Sequence, residues 1–413
     1  MKKSLLFAGM VLLSIGLLGQ VQKEVVTGGD YADDVYYSFE NGTVTVVPRT
    51  NWDIGFTTGA FSISILANNG SGVDLYTYPS GDTADWATLD TTGMKWTPMY
   101  NSIESLDMGA FTRNDLGHPD YGWGTYSMNT HNTTGDSLFV IKTLTGDYKK
   151  LAIIHRGAMT NTWDFKYANL DGSDEQVLQI SAGEYKASSF VYYNIENKEV
   201  LNREPATSSW DLLFTKYFDY NIPYSVTGVL SNEDHVVAQE VRESGMDQST
   251  HNSFEESAFT SDISILGSDW KKFDMGAMAY VLNDTVVYYL KSYGETDSTY
   301  YKLYFTAFTG SSEGKYTFMQ EKLSTVSAED HKSIQLLEVY PNPASDNLNV
   351  VFDHMGKAEI DVIDMTGRVV QSTCYDAGGF TSMSVDVSSL ISGLYFLQVN
   401  TGDESSVIRF IKE

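Results

Sequence analysis

Apolar positions in this chain recur with a period of two, in short runs. Trp52, Ile54 and Phe56 alternate with Asp53 and Gly55, and Phe61, Ile63 and Ile65 alternate with serines. Side chains two apart share one face of an extended strand, so these runs predict half-buried β-strands. Trp52, Ile54 and Phe56 are expected to face a core, with Asp53 on the opposite face. Further runs fall at Ser137–Lys142, Lys150–His155, Thr162–Tyr167, Tyr224–Leu230, Val236–Val241 and Asp284–Lys291. Glu40-Asn41-Gly42 separates two runs, and Asn-Gly is the strongest short hairpin signal. Long helical periodicity is absent, so the pattern predicts an all-β protein.

The pattern occurs twice. Val35-Tyr36-Tyr37-Ser38-Phe39-Glu40-Asn41, followed by Asn51-Trp52-Asp53, returns as Val191-Tyr192-Tyr193-Asn194-Ile195-Glu196-Asn197, followed by Ser209-Trp210-Asp211. Downstream, Trp123 to Met128 parallels Trp270 to Met275, and Asp136–Lys142 parallels Asp284–Lys291. Repetition on this scale predicts two related antiparallel β domains, placed at 20–183 and 184–330. Within the first of these the stretch 79–121 differs in kind. It is rich in proline and glycine, holds Trp86, Met94, Trp96, Met99 and Met108, and reads as a long functional loop.

The ends read differently again. Met1-Lys2-Lys3, the apolar run Ser4–Leu18 and the small residue Gly19 form a secretory signal peptide over 1–19. After a polar linker at 328–333, several short strands in 333–413 predict a small immunoglobulin-like β-sandwich.

Composition narrows the function. Hydrophobic residues make up 42% and aromatics 13%, enough for real cores and too much for general disorder. The formal net charge of −27 repels phosphate backbones and excludes nucleic-acid binding, while favouring solubility outside the cell. No run besides the signal peptide approaches membrane-spanning length. The single cysteine, Cys374, forbids a disulfide within the chain and a thiolate metal site.

Hydrolase signatures are missing: neither His-Glu-x-x-His nor Gly-x-Ser-x-Gly occurs, nor a phosphate-cradling glycine loop. Asp171-Gly172-Ser173-Asp174-Glu175 lacks the spacing of a calcium loop and reads as a polar turn. His155 is expected in a core or at a strand edge. His235, His251, His331 and His354 lie in polar stretches and are expected to face solvent. The chain is therefore read as a binding protein and not an enzyme.

Two resemblances sharpen this. Tyr340-Pro341-Asn342-Pro343-Ala344, the turn Asp364-Met365-Thr366-Gly367-Arg368, the strand Gly393-Leu394-Tyr395-Phe396 and a terminal Lys412 occur in that order. Together they resemble the type A sorting domain of the type IX secretion system of Bacteroidota. That resemblance implies recognition by an outer-membrane translocon and removal by a sortase-like peptidase. It also implies release, or attachment to surface lipopolysaccharide. The duplicated motif, with its Trp-x-x-aromatic strand, resembles the HmuY family of secreted haem-binding proteins, here present in tandem. This second resemblance implies haem, or host haem proteins, as ligand. It places Met128 and Met275 at the positions from which iron is held, with His131, Met94 and Met99 as further porphyrin-binding residues. Lys95 and Arg113 are the cations on offer for the propionates. Thioether and imidazole are both credible axial ligands, and a methionine at a strand end is equally a core filler. The competing expectation is a structural or adhesive surface protein that binds protein or glycan without haem.

Overall fold

The computed structural model describes residues 19–294, 297–327, 336–401 and 405–413. The expected signal peptide, save Gly19, and the linker at 328–333 lie outside the described residues. Alternation in the sequence becomes strand throughout, and the fold is all-β. Among the described residues no helix exceeds a short 3-10 turn.

The first copy of the repeat supplies β1 (Val21–Val26), β2 (Asp33–Ser38), β3 (Gly42–Pro48), β4 (Ile54–Thr57), β5 (Ile65–Ala67), β6 (Asp74–Asp82), β7 (Gly124–Tyr126), β8 (Thr133–Gly135), β9 (Ser137–Lys142), β10 (Tyr148–Gly157) and β11 (Thr162–Asn169). The second begins earlier than the expected 184, at the strand equivalent to β1, and supplies β12 (Gln176–Ser181), β13 (Phe190–Asn194), β14 (Glu199–Leu201), β15 (Leu212–Asp219), β16 (Tyr224–Ser231), β17 (Val236–Arg242), β18 (Lys271–Asp274), β19 (Ala279–Leu282), β20 (Val286–Tyr293), β21 (Asp297–Phe308) and β22 (Lys315–Ser327).

The copies exchange their opening strands. The β2–β3 hairpin of the first copy pairs with β15 of the second, in the register Tyr37↔Leu212. The β13–β14 hairpin of the second pairs with β4 of the first, in the equivalent register Tyr193↔Ile54. Likewise β1 closes on β22, and β12 on β11. Two sandwiches result. In the first, the sheet β14-β13-β4-β5 covers the sheet that runs β12-β11-β10-β8-β7 and also holds β6 and β9. In the second, β16-β15-β2-β3 covers β1-β22-β21-β20-β17. Their cores are separate. Ile54, Phe56, Trp123, Trp163, Phe165, Val191 and Tyr193 belong to one; Val35, Tyr37, Phe39, Leu212, Phe214, Trp270 and Phe305 belong to the other.

The expected division into 20–183 and 184–330 therefore does not separate the cores. The first sandwich spans 54–201, and the second is assembled from 21–48 and 212–327. Topology supplies the reason. Within one sheet the order would be β3-β2-β4 with β3 parallel to β4, and joining parallel strands needs a crossover of about a dozen residues or more. The segment 49–53 is too short to provide it, so the chain steps across to the other sandwich instead.

The face-sharing expectation for Trp52 also changes. Regular alternation begins only at Ile54, and Asp53 is buried. Trp52 turns away from Phe56 and packs with Leu66, Phe190 and Tyr192. Tyr192 meets Trp52 edge-on at 4.8 Å, and Tyr36 meets Trp210 in the same manner at 5.0 Å. Arg203 crosses between the sandwiches, donating to Asp34 Oδ2 at 2.7 Å and to the Pro48 carbonyl at 3.1 Å.

The C-terminal domain is a β-sandwich of β23 (Leu336–Tyr340), β24 (Asn347–Asp364), β25 (Val369–Asp386), β26 (Gly393–Asn400) and β27 (Ser405–Lys412). The first half of β24 pairs with β23 and its second half with β26, while β25 runs beside both. Leu348, Val350, Phe352, Ile360, Leu397 and Phe410 fill its core.

Candidate functional site

Exchange of the hairpins builds a polar cleft of about 400 Å³ in the second sandwich. One wall is the β2–β3 turn of the first copy, with Ser38, Glu40 and Asn41. The others come from the second copy: Ser208 and Ser209 before Asp211, His235 at the start of β17, Ser292 and Tyr293 on β20, and Lys322 on β22. Phe39 and Tyr301, stacked with centroids 4.3 Å apart, lie behind it. Burial pushes the Tyr301 phenol up, so it stays protonated.

Asp211 is the centre of this arrangement. Its Oδ2 accepts the Phe39 N–H at 2.7 Å, and its Oδ1 accepts the Ser292 hydroxyl at 2.6 Å. His235 Nε2 lies 3.4 Å from the same Oδ1. Lys322 Nζ reaches Glu40 Oε1 at 3.1 Å on the rim, where Tyr293 is 46% exposed. Carboxylates, hydroxyls, an amide and one open aromatic ring thus converge on one space. Serine and imidazole thus share one carboxylate oxygen.

The equivalent aspartate in the first sandwich is closed off. Asp53 accepts the Ile195 N–H at 2.8 Å and the Leu144 N–H at 3.0 Å, and it is 1% exposed. A backbone amide thus occupies the place that Ser292 and His235 take in the second copy. The repeated Trp-Asp pair was visible in the sequence as a motif, but the partner of each aspartate was not. His235 was expected in solvent; only 16% of its side chain is accessible, and it sits in the cleft. His251 is also largely enclosed, with Nδ1 at 2.8 Å from the Tyr289 hydroxyl.

The methionines expected to bind a porphyrin occupy three different environments. Met128 is half exposed in the turn joining β7 to β8, and Met275 is exposed in the turn joining β18 to β19. The repeat register thus places them at equivalent hairpin tips. Met94 packs beside Tyr78, Leu138 and Ala152 on the outer face of the first sandwich. Met99 belongs to the first core, and its sulfur accepts from Thr77 Oγ1 at 3.0 Å and Asn114 Nδ2 at 3.1 Å. Of the two expected propionate partners, Lys95 is exposed and Arg113 lies 5.6 Å from the Tyr220 ring centroid.

His131 is engaged elsewhere. Its Nδ1 lies 2.8 Å from the Tyr126 hydroxyl and 3.0 Å from the Tyr340 hydroxyl of the C-terminal domain. His118 packs against Tyr121 and Tyr126, and burial pulls its pKa down, favouring the neutral ring. Among the described residues no three His, Cys, Asp or Glu side chains group to hold a metal ion.

In the C-terminal domain the sequence motifs have clear structural roles. Ala344 N–H donates to the Ile411 carbonyl at 2.7 Å, tying the Tyr-Pro-Asn-Pro-Ala segment to the last strand. Asp364 organises its turn by accepting from the Thr366 hydroxyl at 2.5 Å and from Arg368 Nε at 3.2 Å, and these bonds hold its carboxyl down at about 2. Gly367 there has φ of 80°, a conformation that favours glycine.

Residues 338–413 match the family model of the secretion system C-terminal sorting domain. The chain therefore carries a type IX sorting tail, which interacts with that secretion machinery and directs it to secretion or to the outer-membrane surface. Among the described residues no helix is long and apolar enough to cross a membrane. No curated protein matches the chain.

Proposed function

We propose that this chain is a surface-delivered binding protein that takes a neutral, hydroxyl-rich ligand, of the saccharide class, in the cleft of the second sandwich. One observation carries the reading: the duplicated aspartate is sealed by backbone amides in one sandwich and lies in a polar cleft in the other. Ligand sites are concavities with a few convergent polar groups. Carboxylate and hydroxyl oxygens can accept from sugar hydroxyls, Asn41 can donate, and the face of Tyr293 suits the C–H side of a sugar ring. Delivery by the sorting tail puts such a site where extracellular glycans are met.

Calorimetric titration of the secreted chain with a panel of neutral oligosaccharides tests this. Saturable binding weakened at least about tenfold by Tyr293→Ala and by Ser292→Ala is expected, since each removes a contact of about 1.4 kcal/mol or more. Absence of binding across the panel, or binding indifferent to both substitutions, sinks the proposal.

A second reading retains haem and the HmuY resemblance. What supports it is that Met128 and Met275 offer accessible thioethers at equivalent hairpin tips. Haemin titration followed by the Soret band decides it: a saturable shift lost in Met128→Ala or Met275→Ala is required. The positions of Met94 and Met99 lend it no support.

A further inference from the structure

We infer that the sorting domain rides on its own cargo as a docked cap, closing an aromatic face of the first sandwich through latches at Glu338 and Arg409. The face consists of Phe61, Tyr121 and Tyr126, and Tyr340 and Val351 of the sorting domain cover it. Tyr340 lies flat on Phe61, with ring planes 6° apart and centroids at 5.1 Å, while its hydroxyl reaches His131. Tyr126 is 7% exposed beneath this cover.

Two carboxylates join the parts. Glu338, entering from β23, accepts the Phe61 N–H at 2.6 Å. Glu233, in the turn after β16, sits where all three domains meet. It accepts from the Ser105 hydroxyl, from the Leu106 N–H at 2.7 Å, and from Arg409 of β27 at 2.5 Å. Contacts this specific between a transport signal and its cargo define one orientation for the tail.

Both latches respond to protons. Burial raises the Glu338 carboxyl to about 8; Arg156 opposes the rise and Asp107 adds to it. Tyr121 and Tyr126 also face this carboxylate. Glu233 is raised to about 8 as well, by burial and then by Asp107, against Arg409. A carboxyl whose pKa is higher when docked takes up a proton on docking. Docking is therefore strongest in acid and weakens as pH climbs from the free carboxyl value towards about 8.

The test uses the full chain with a protease site placed within residues 328–335, nicked after folding. Retention of the nicked tail is followed by analytical size exclusion and titration at about pH 6 and about pH 8.5. Affinity is expected to fall with pH by up to about tenfold per unit for each latch carboxyl. Tyr340→Ala should weaken retention about tenfold or more at both pH values, and Glu338→Gln should remove much of the pH slope. Tail and body that separate at both pH values overturn the inference, as does retention unchanged by pH or by Tyr340→Ala. Circular dichroism of each variant before nicking establishes that both parts are folded.

Discussion

The Asp211 carboxylate accepts the backbone N–H of Phe39 at 2.7 Å, a bond between opposite copies of the repeat. Asp53 does the same for Ile195 at 2.8 Å, so each copy's aspartate anchors the other's hairpin. A buried N–H that loses its acceptor costs about 1–3 kcal/mol. Asp53 serves Leu144 as well, so Asp53→Ala is expected to lower stability by about 2–5 kcal/mol in urea unfolding. Asp53→Asn, which keeps one acceptor oxygen, should cost less.

Exchange makes a local change felt at a distance in sequence. Tyr37 Oη donates to Gln320 Oε1 at 2.7 Å, and Gln320 Nε2 donates to the Phe39 carbonyl at 2.7 Å. Tyr37→Phe should destabilise the second sandwich by about 1–2 kcal/mol. Hydrogen exchange should quicken at 315–323, although Gln320 lies 283 residues from Tyr37 in sequence, and stay unchanged across 137–169; the reverse pattern would contradict the observed strand partners.

Gly70 is required by a close approach. A Cβ at this position would lie 1.8 Å from the Lys216 carbonyl oxygen and 2.7 Å from its carbon, both backbone atoms of the other sandwich. Backbone cannot swing aside as a side chain can, so Gly70→Ala must part the two bodies locally. A loss of about 2–3 kcal/mol is expected. It should appear as a lower melting temperature with faster exchange across 212–219.

Glu204 makes the same interface pH-dependent. Its carboxylate accepts from Ser189 N–H, Phe190 N–H and the Tyr192 hydroxyl, and burial raises it from 4.5 to about 7. The folded state therefore holds this proton more tightly than the unfolded chain. Its contribution is fully present below the unfolded value and is lost as pH rises through about 7. The loss amounts to about 3 kcal/mol. Glu204→Gln should flatten that part of the stability profile, measured by urea midpoints between about pH 5 and pH 8.

Much of this architecture was legible in the residues. Period-two alternation marked the strands because side chains alternate across any sheet. Repetition of Tyr-Tyr and Trp-Asp marked two related units, and the ordered motifs after Tyr340 marked the tail. The repeat register pairs Met128 with Met275, and each lies in a turn between two short strands. What it could not show was that both are hairpin-tip residues while Met99 is core, because burial depends on which sheet lies opposite.

The sequence by itself determined the strand pattern, the duplication and the sorting tail, each a matter of local chemistry or of motif. Only the tertiary structure decided which copy each hairpin serves. Backbone hydrogen bonds do not distinguish Tyr37 from Tyr193, so either hairpin suits either sheet in the same register. The short connection at 49–53 breaks the tie by excluding a parallel return. From that choice follow the cleft around Asp211, the sealed state of Asp53 and the joint occupied by Glu204.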